Sequence, residues 1–147
     1  TPSVFNFFRP GYVPPAAALP AGAVAPDFQL VNESSVGGYL NYMQGVIGNG
    51  INFVSGSTWD IATPYSTEIG LALSPSAANP AALINRLNVL LCAGQLSVSN
   101  VTLITTTVGG MKGTDATSAT NTATNLRRRV SAAVLLVMAS AEYLVQK

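Results

Sequence analysis

The chain contains no histidine, a single cysteine and few ionisable side chains of either sign. Each scarcity excludes something. Without histidine there is no imidazole base for a serine or cysteine nucleophile, and the commonest zinc ligand is missing. With Cys92 as the only thiol, no internal disulfide can form; the residue reads as a small buried hydrophobe, with an intermolecular bridge as the alternative. Seven Lys and Arg residues and a net charge of +1 fall short of the phosphate-neutralising face that nucleic-acid binding requires. No apolar run reaches the roughly 18 to 20 residues needed to cross a bilayer. The start Thr1-Pro2-Ser3 has neither an initiator Met nor a basic leader, which leads us to expect an internal or processed segment.

Charged residues make up 9% of the 147 positions, against about a quarter in ordinary globular domains. The apolar fraction, 48%, is normal. Thr, Ser, Asn, Ala and Gly therefore occupy the surface that Lys and Glu usually cover. Such a surface repels copies and partners weakly, which favours contact with them.

Most of the nine prolines lie in the first 32 residues, at Pro2, Pro10, Pro14, Pro15, Pro20 and Pro26. Proline fixes φ and removes a backbone donor, so an extended strap over residues 1–32 is expected rather than helix or sheet. It carries Phe5, Phe7, Phe8 and Tyr12, rings that need a groove to lie in. The remainder, 33–147, reads as one mainly helical unit, continuous with a missing amino-terminal part. The expected class is mainly α, an irregular domain of about four to five helices near 34–47, 80–93, 98–108, 123–138 and 141–146. Spacings of three and four carry these assignments. Val36, Tyr39, Leu40, Met43 and Ile47 form one stripe, and Leu83, Ile84, Leu87, Leu90 and Leu91 a second. Val101, Ile104 and Val108 make a third. Leu126, Val130, Ala133, Val134 and Val137 make the fourth. Asn32 or Ser34 can cap the first helix, and Asn79 followed by Pro80 can start the second. Gly37 and Gly38, inside the first helix, suggest close helix packing. Residues 51–78 read as loop with short helical turns, and 112–124 as a polar surface loop.

Six carboxylates are present: Asp27, Glu33, Asp60, Glu68, Asp115 and Glu142. Nothing in their spacing brings two together across a cleft, as glycoside hydrolysis would need. Asp27 and Glu33 fit helix capping and the helix dipole, and Glu142 fits the same role at the last short helix. The glycine pairs lack the lysine and spacing of a phosphate loop. No catalytic, cofactor-binding or metal-ligating residue is assigned. The candidate functional residues are interface residues: the rings Phe5, Phe7, Phe8, Tyr12 and Trp59, and the triplet Arg127, Arg128 and Arg129. For the triplet, an exposed or ion-paired helix segment is the plainer reading.

Several blocks are familiar. Pro2-Ser3-Val4-Phe5-Asn6-Phe7-Phe8-Arg9-Pro10-Gly11-Tyr12-Val13-Pro14 is followed by Ala25-Pro26-Asp27-Phe28-Gln29 and Asn32-Glu33-Ser34-Ser35. Later come Leu90-Leu91-Cys92-Ala93-Gly94-Gln95-Leu96-Ser97, Arg129-Val130, and the closing Ser140-Ala141-Glu142-Tyr143-Leu144-Val145-Gln146. Together they resemble the carboxy-terminal part of the bacterial domain-of-unknown-function family numbered 1800, whose members have Pro where Ala141 stands. The resemblance implies a long, mostly helical, exported protein: periplasmic, cell-surface or extracellular. It implies as partners the rest of the parent polypeptide, identical subunits, or a protein of the second exported family numbered 1501. It brings no cofactor and no established activity. The expected role is structural or interactive. The alternative is that this region is the helical scaffold of an extracellular enzyme acting on polysaccharide.

Overall fold

The computed structural model describes residues 11–13, 22, 24, 33–52 and 60–144. The expected strap over 1–32 and the helical end beyond Leu144 fall largely or wholly outside them. The chain divides into two units, 1–41 and 42–147. The described residues are mainly helical: α1 (Glu33–Asn49), α2 (Ser66–Leu71), α3 (Ala81–Cys92), α4 (Val98–Gly109), α5 (Ala119–Met138) and α6 (Ala141–Leu144). Among them no strand forms, only single antiparallel bridges at Ile51–Ile61 and Ser76–Asn79.

Within 42–147 the core is built on α3 and α5, which pack together, with α4, α2 and α6 laid against both or between them. Leu83, Ile84 and Leu87 of α3 meet Val130, Ala133, Val134 and Val137 of α5, while Ile104 and Val108 close the α4 side. Each such leucine, isoleucine or valine contributes ~1.5–3 kcal/mol by leaving water. Ile47 near the end of α1 is buried in the same core, and Met43 packs against it. Gly50 continues the chain at φ 100 toward the Ile51–Ile61 bridge; a Cβ there would collide with the Ile61 carbonyl oxygen, so the position requires glycine.

Helix ends depart from the expected ones in instructive ways. Pro80, not Asn79, is the N-cap of α3, and no side chain caps that helix; Asn79 is engaged instead in a backbone bridge with Ser76. Asn32, the position before α1, lies outside the described residues. Ser97 caps α4, accepting a hydrogen bond from the Asn100 amide. Helix α5 begins at Ala119, so residues 119–122 are helix rather than loop. Its start is fixed by Ser118, which accepts from the Asn121 amide, and by Asp115. The Asp115 carboxylate accepts from the Thr117 amide and hydroxyl at 2.9 and 2.6 Å and from the Asn121 side-chain amide at 3.1 Å. The Ser118 bond satisfies one donor that a helix start leaves free, and the bonds to Asp115 fix the turn that leads into it.

Candidate interaction surface

The arginine triplet faces three environments. Successive residues on a helix are rotated by about 100°, so three in a row cannot share one face. Arg128 is exposed. Arg127 is half-buried; its guanidinium lies 5.9 Å from the centre of the Tyr65 ring and donates to the Gly48 carbonyl at 3.4 Å. Burial raises the Tyr65 phenol, and the Arg127 charge opposes that shift.

Arg129 is completely buried. This corrects both the exposed or ion-paired reading of the triplet and the place of Arg129 among the interface candidates. Its guanidinium donates to the carbonyls of Ala72 at 2.9 Å, Gly109 at 2.8 Å, and Ala77. Ala72 is the C-cap of α2 and Gly109 the last residue of α4. A helix C-terminus presents unpaired carbonyls and the negative end of the dipole, so a cation is favoured there. The charge is thus solvated by backbone dipoles rather than by a carboxylate. Its Nε has no partner among the described atoms, and burial lowers the guanidinium's pKa without discharging it.

The other candidates are located only in part. Phe5, Phe7, Phe8 and Trp59 lie outside the described residues; Tyr12 is half-buried. The described structure adds apolar side chains that periodicity had assigned inward or left unassigned. Leu90 lies seven residues after the fully buried Leu83, nearly the same side of α3, yet is 58% exposed. Beside it in sequence Val89 is 66% exposed, and on α4 Val98 is 83% and Leu103 64% exposed. The rest of the outward side of α4, Ser99, Thr102, Thr106 and Thr107, is uncharged.

Three carboxylates are committed to structural contacts. Glu68 accepts from the Arg86 side chain at 2.7 Å, and that hydrogen bond lowers its pKa. Asp115 is held at about 2, first by the Thr117 hydroxyl, then by the Thr117 amide and the Asn121 side chain. Glu142 does not serve only its own short helix, as expected, but reaches the start of α4. It accepts from the Ser97 amide at 3.1 Å and twice from the Asn100 side chain at 2.9 and 3.0 Å. Hydrogen bonding to Ser97 leads the causes that hold it at about 2. All three shifts are downward, the opposite of what a general acid needs near neutral pH. Among the described residues no cluster of three or more Cys, Asp or Glu side chains could hold a metal ion, and no helix is long and apolar enough to cross a membrane. Comparison with known families, with curated proteins and with solved structures finds no match.

Proposed function

We propose that this chain is a structural and interaction portion of a larger exported bacterial protein, packing on its parent polypeptide or on partner subunits. The observation that carries the reading is Leu90: a leucine on the packing side of α3 that nothing in the described structure covers, flanked by Val89. Exposed single hydrophobes are ordinary; here they accompany a surface almost without charge, which opposes association weakly. The resemblance of the sequence blocks to the family numbered 1800 supports the exported setting, with a protein of the family numbered 1501 as one candidate companion. The alternative is the scaffold of a polysaccharide-active enzyme, to which this region would contribute shape rather than reacting groups.

The test is sizing with intact-mass measurement on protein from the native source. The interaction reading expects an oligomer or a companion chain, and Leu90→Glu should weaken that association without changing the fold. Turnover of a glycan by the full-length protein, at a pocket lined partly by this region, would transfer the reading to the enzyme scaffold.

A further inference from the structure

Helix α4 is built from residues that favour strands. Eight of its 12 residues are β-branched, against two of 12 in α3. Such side chains lose rotamer freedom in a helix but fit a pleated sheet. Five of the eight fall in the run Leu103-Ile104-Thr105-Thr106-Thr107-Val108. Thr102 and Thr107 donate their hydroxyls to the Val98 and Leu103 carbonyls at 2.9 and 2.8 Å, a bond that loosens a helix rather than tightening it. A helix this short is marginal in water even when alanine-rich, so local preference does not make α4 helical.

Contacts with the rest of the unit supply what the segment lacks. Ile104 and Val108 are buried in the core. At the first turn the Ser97 hydroxyl caps the helix, and the Glu142 carboxylate accepts from the Ser97 amide and the Asn100 side chain; at the last, Arg129 holds the Gly109 carbonyl. The outer side stays bare: Leu103 is 64% exposed, and Thr102, Thr106 and Thr107 are exposed as well. In an extended chain alternate side chains point to opposite faces. Thr102, Ile104, Thr106 and Val108 would then line one face and Val101, Leu103, Thr105 and Thr107 the other, both uncharged. No charged side chain lies between Arg86 and Lys112, and no proline follows Pro80. The residues that ordinarily guard such a segment against pairing are therefore missing.

We propose that residues 101–108 are a conditional strand: helical while the contacts at the two ends of α4 hold and, once these open, pairing in register with the same segment of a second copy of this chain. Stacking in register sets each Thr beside Thr and each Ile, Leu or Val beside its own kind, pairs that favour a sheet, with no like charges to oppose them. The end held by Glu142 is the first to open, because its hydrogen bonds face solvent. The inference does not rest on the interaction reading above, which concerns Leu90 in the folded chain.

The test is agitated incubation of the full chain in mild denaturant, followed by thioflavin fluorescence, with the protease-resistant core of the product identified by mass spectrometry. The parent should form dye-binding assemblies whose core contains 101–108, and Glu142→Gln should form them sooner. Thr106→Lys should lengthen the lag roughly tenfold, because it stacks like charges in the sheet. It leaves the folded chain intact, since lysine is the better helix former and suits the last turn. Two controls separate the strand from general effects. Asn85→Lys adds the same charge at an exposed position of α3 and should keep the lag within about twofold of the parent's. Thr106→Ala strengthens the helix without a charge and should lengthen the lag less than Thr106→Lys does. A parent that stays soluble and helical, a resistant core elsewhere in the chain, or equal lags for Thr106→Lys and Asn85→Lys would overturn the proposal.

Discussion

Two charged side chains hold the two ends of α4, and they do so in opposite settings. Arg129 meets the carboxy-terminal end at the Gly109 carbonyl, fully buried; Glu142 meets the amino-terminal end at Ser97 and Asn100, near the surface. Both obey the same rule, a cation at the negative end of a helix and an anion at the positive end. The difference lies in what replaces the contact when it is lost. At Glu142 water can take over the freed groups, so the contact is reversible. At Arg129 the Ala72 carbonyl would remain in a dry interior, unsatisfied at a cost of ~1–3 kcal/mol, while the carbonyls of Ala77 and Gly109 lie nearer to solvent. The same dipole rule therefore acts through a buried contact at one end of α4 and a surface contact at the other.

The largest effect is expected at the buried end. Arg129→Met should destabilise the chain by ~2–4 kcal/mol in denaturant unfolding, because it strands the buried Ala72 carbonyl and loses the charge-assisted bonds to Ala77 and Gly109. Arg129→Lys should recover only part of this, since an ammonium cannot reproduce the planar fork that meets three acceptors. If the methionine variant were as stable as the parent, the junction would be incidental.

The next effect concerns the same junction. A Cβ on Gly109 would run into the Ala78 carbonyl oxygen. Gly109→Ala should therefore cost ~1–3 kcal/mol through overpacking, although alanine is the better helix former. An unchanged thermal midpoint would show that the 74–79 loop can move aside freely.

Acid separates the two ends without mutation. Glu142 and Asp115 are held at about 2 in the fold, below their ordinary values of 4.5 and 3.8. A carboxylate depressed in the folded state stabilises it fully above the ordinary value, and the contribution fades as pH falls toward the folded one. Stability should thus decline between about pH 4.5 and pH 2. The slope should flatten in Glu142→Gln combined with Asp115→Asn. Arg129 stays charged throughout, so its junction should show no such dependence. Thermal midpoints across this range check both statements.

How much of this was legible in sequence follows from what each feature uses as its partner. The buried stripes of α3, α4 and α5 were readable because Leu83, Ile104 and Val130 recur with their neighbours at helical spacing. The first turns of α5 were not, since Ala119 to Asn125 offers no apolar contrast and the start is set by Asp115 and Ser118. Arg129 looked like one of three surface cations because its partners are backbone carbonyls, up to 57 residues away, and carbonyls carry no sequence signature. Glu142 was legible as a capping residue, but not as one that caps a different helix. The outward position of Leu90 was hidden for another reason. Periodicity assigns a side to a residue, but not whether a neighbour extends far enough to cover it.

That uncovered side tests the account most directly. Light scattering should compare the parent chain with Leu90→Glu, alone and with any chain that co-purifies with the parent from its native source. A surface substitution of this kind should alter folding stability by no more than about 0.5 kcal/mol. The account predicts association beyond the monomer mass, alone or with the companion, and its marked loss in the variant. A monomer in both conditions, with the variant indistinguishable from the parent, would contradict it.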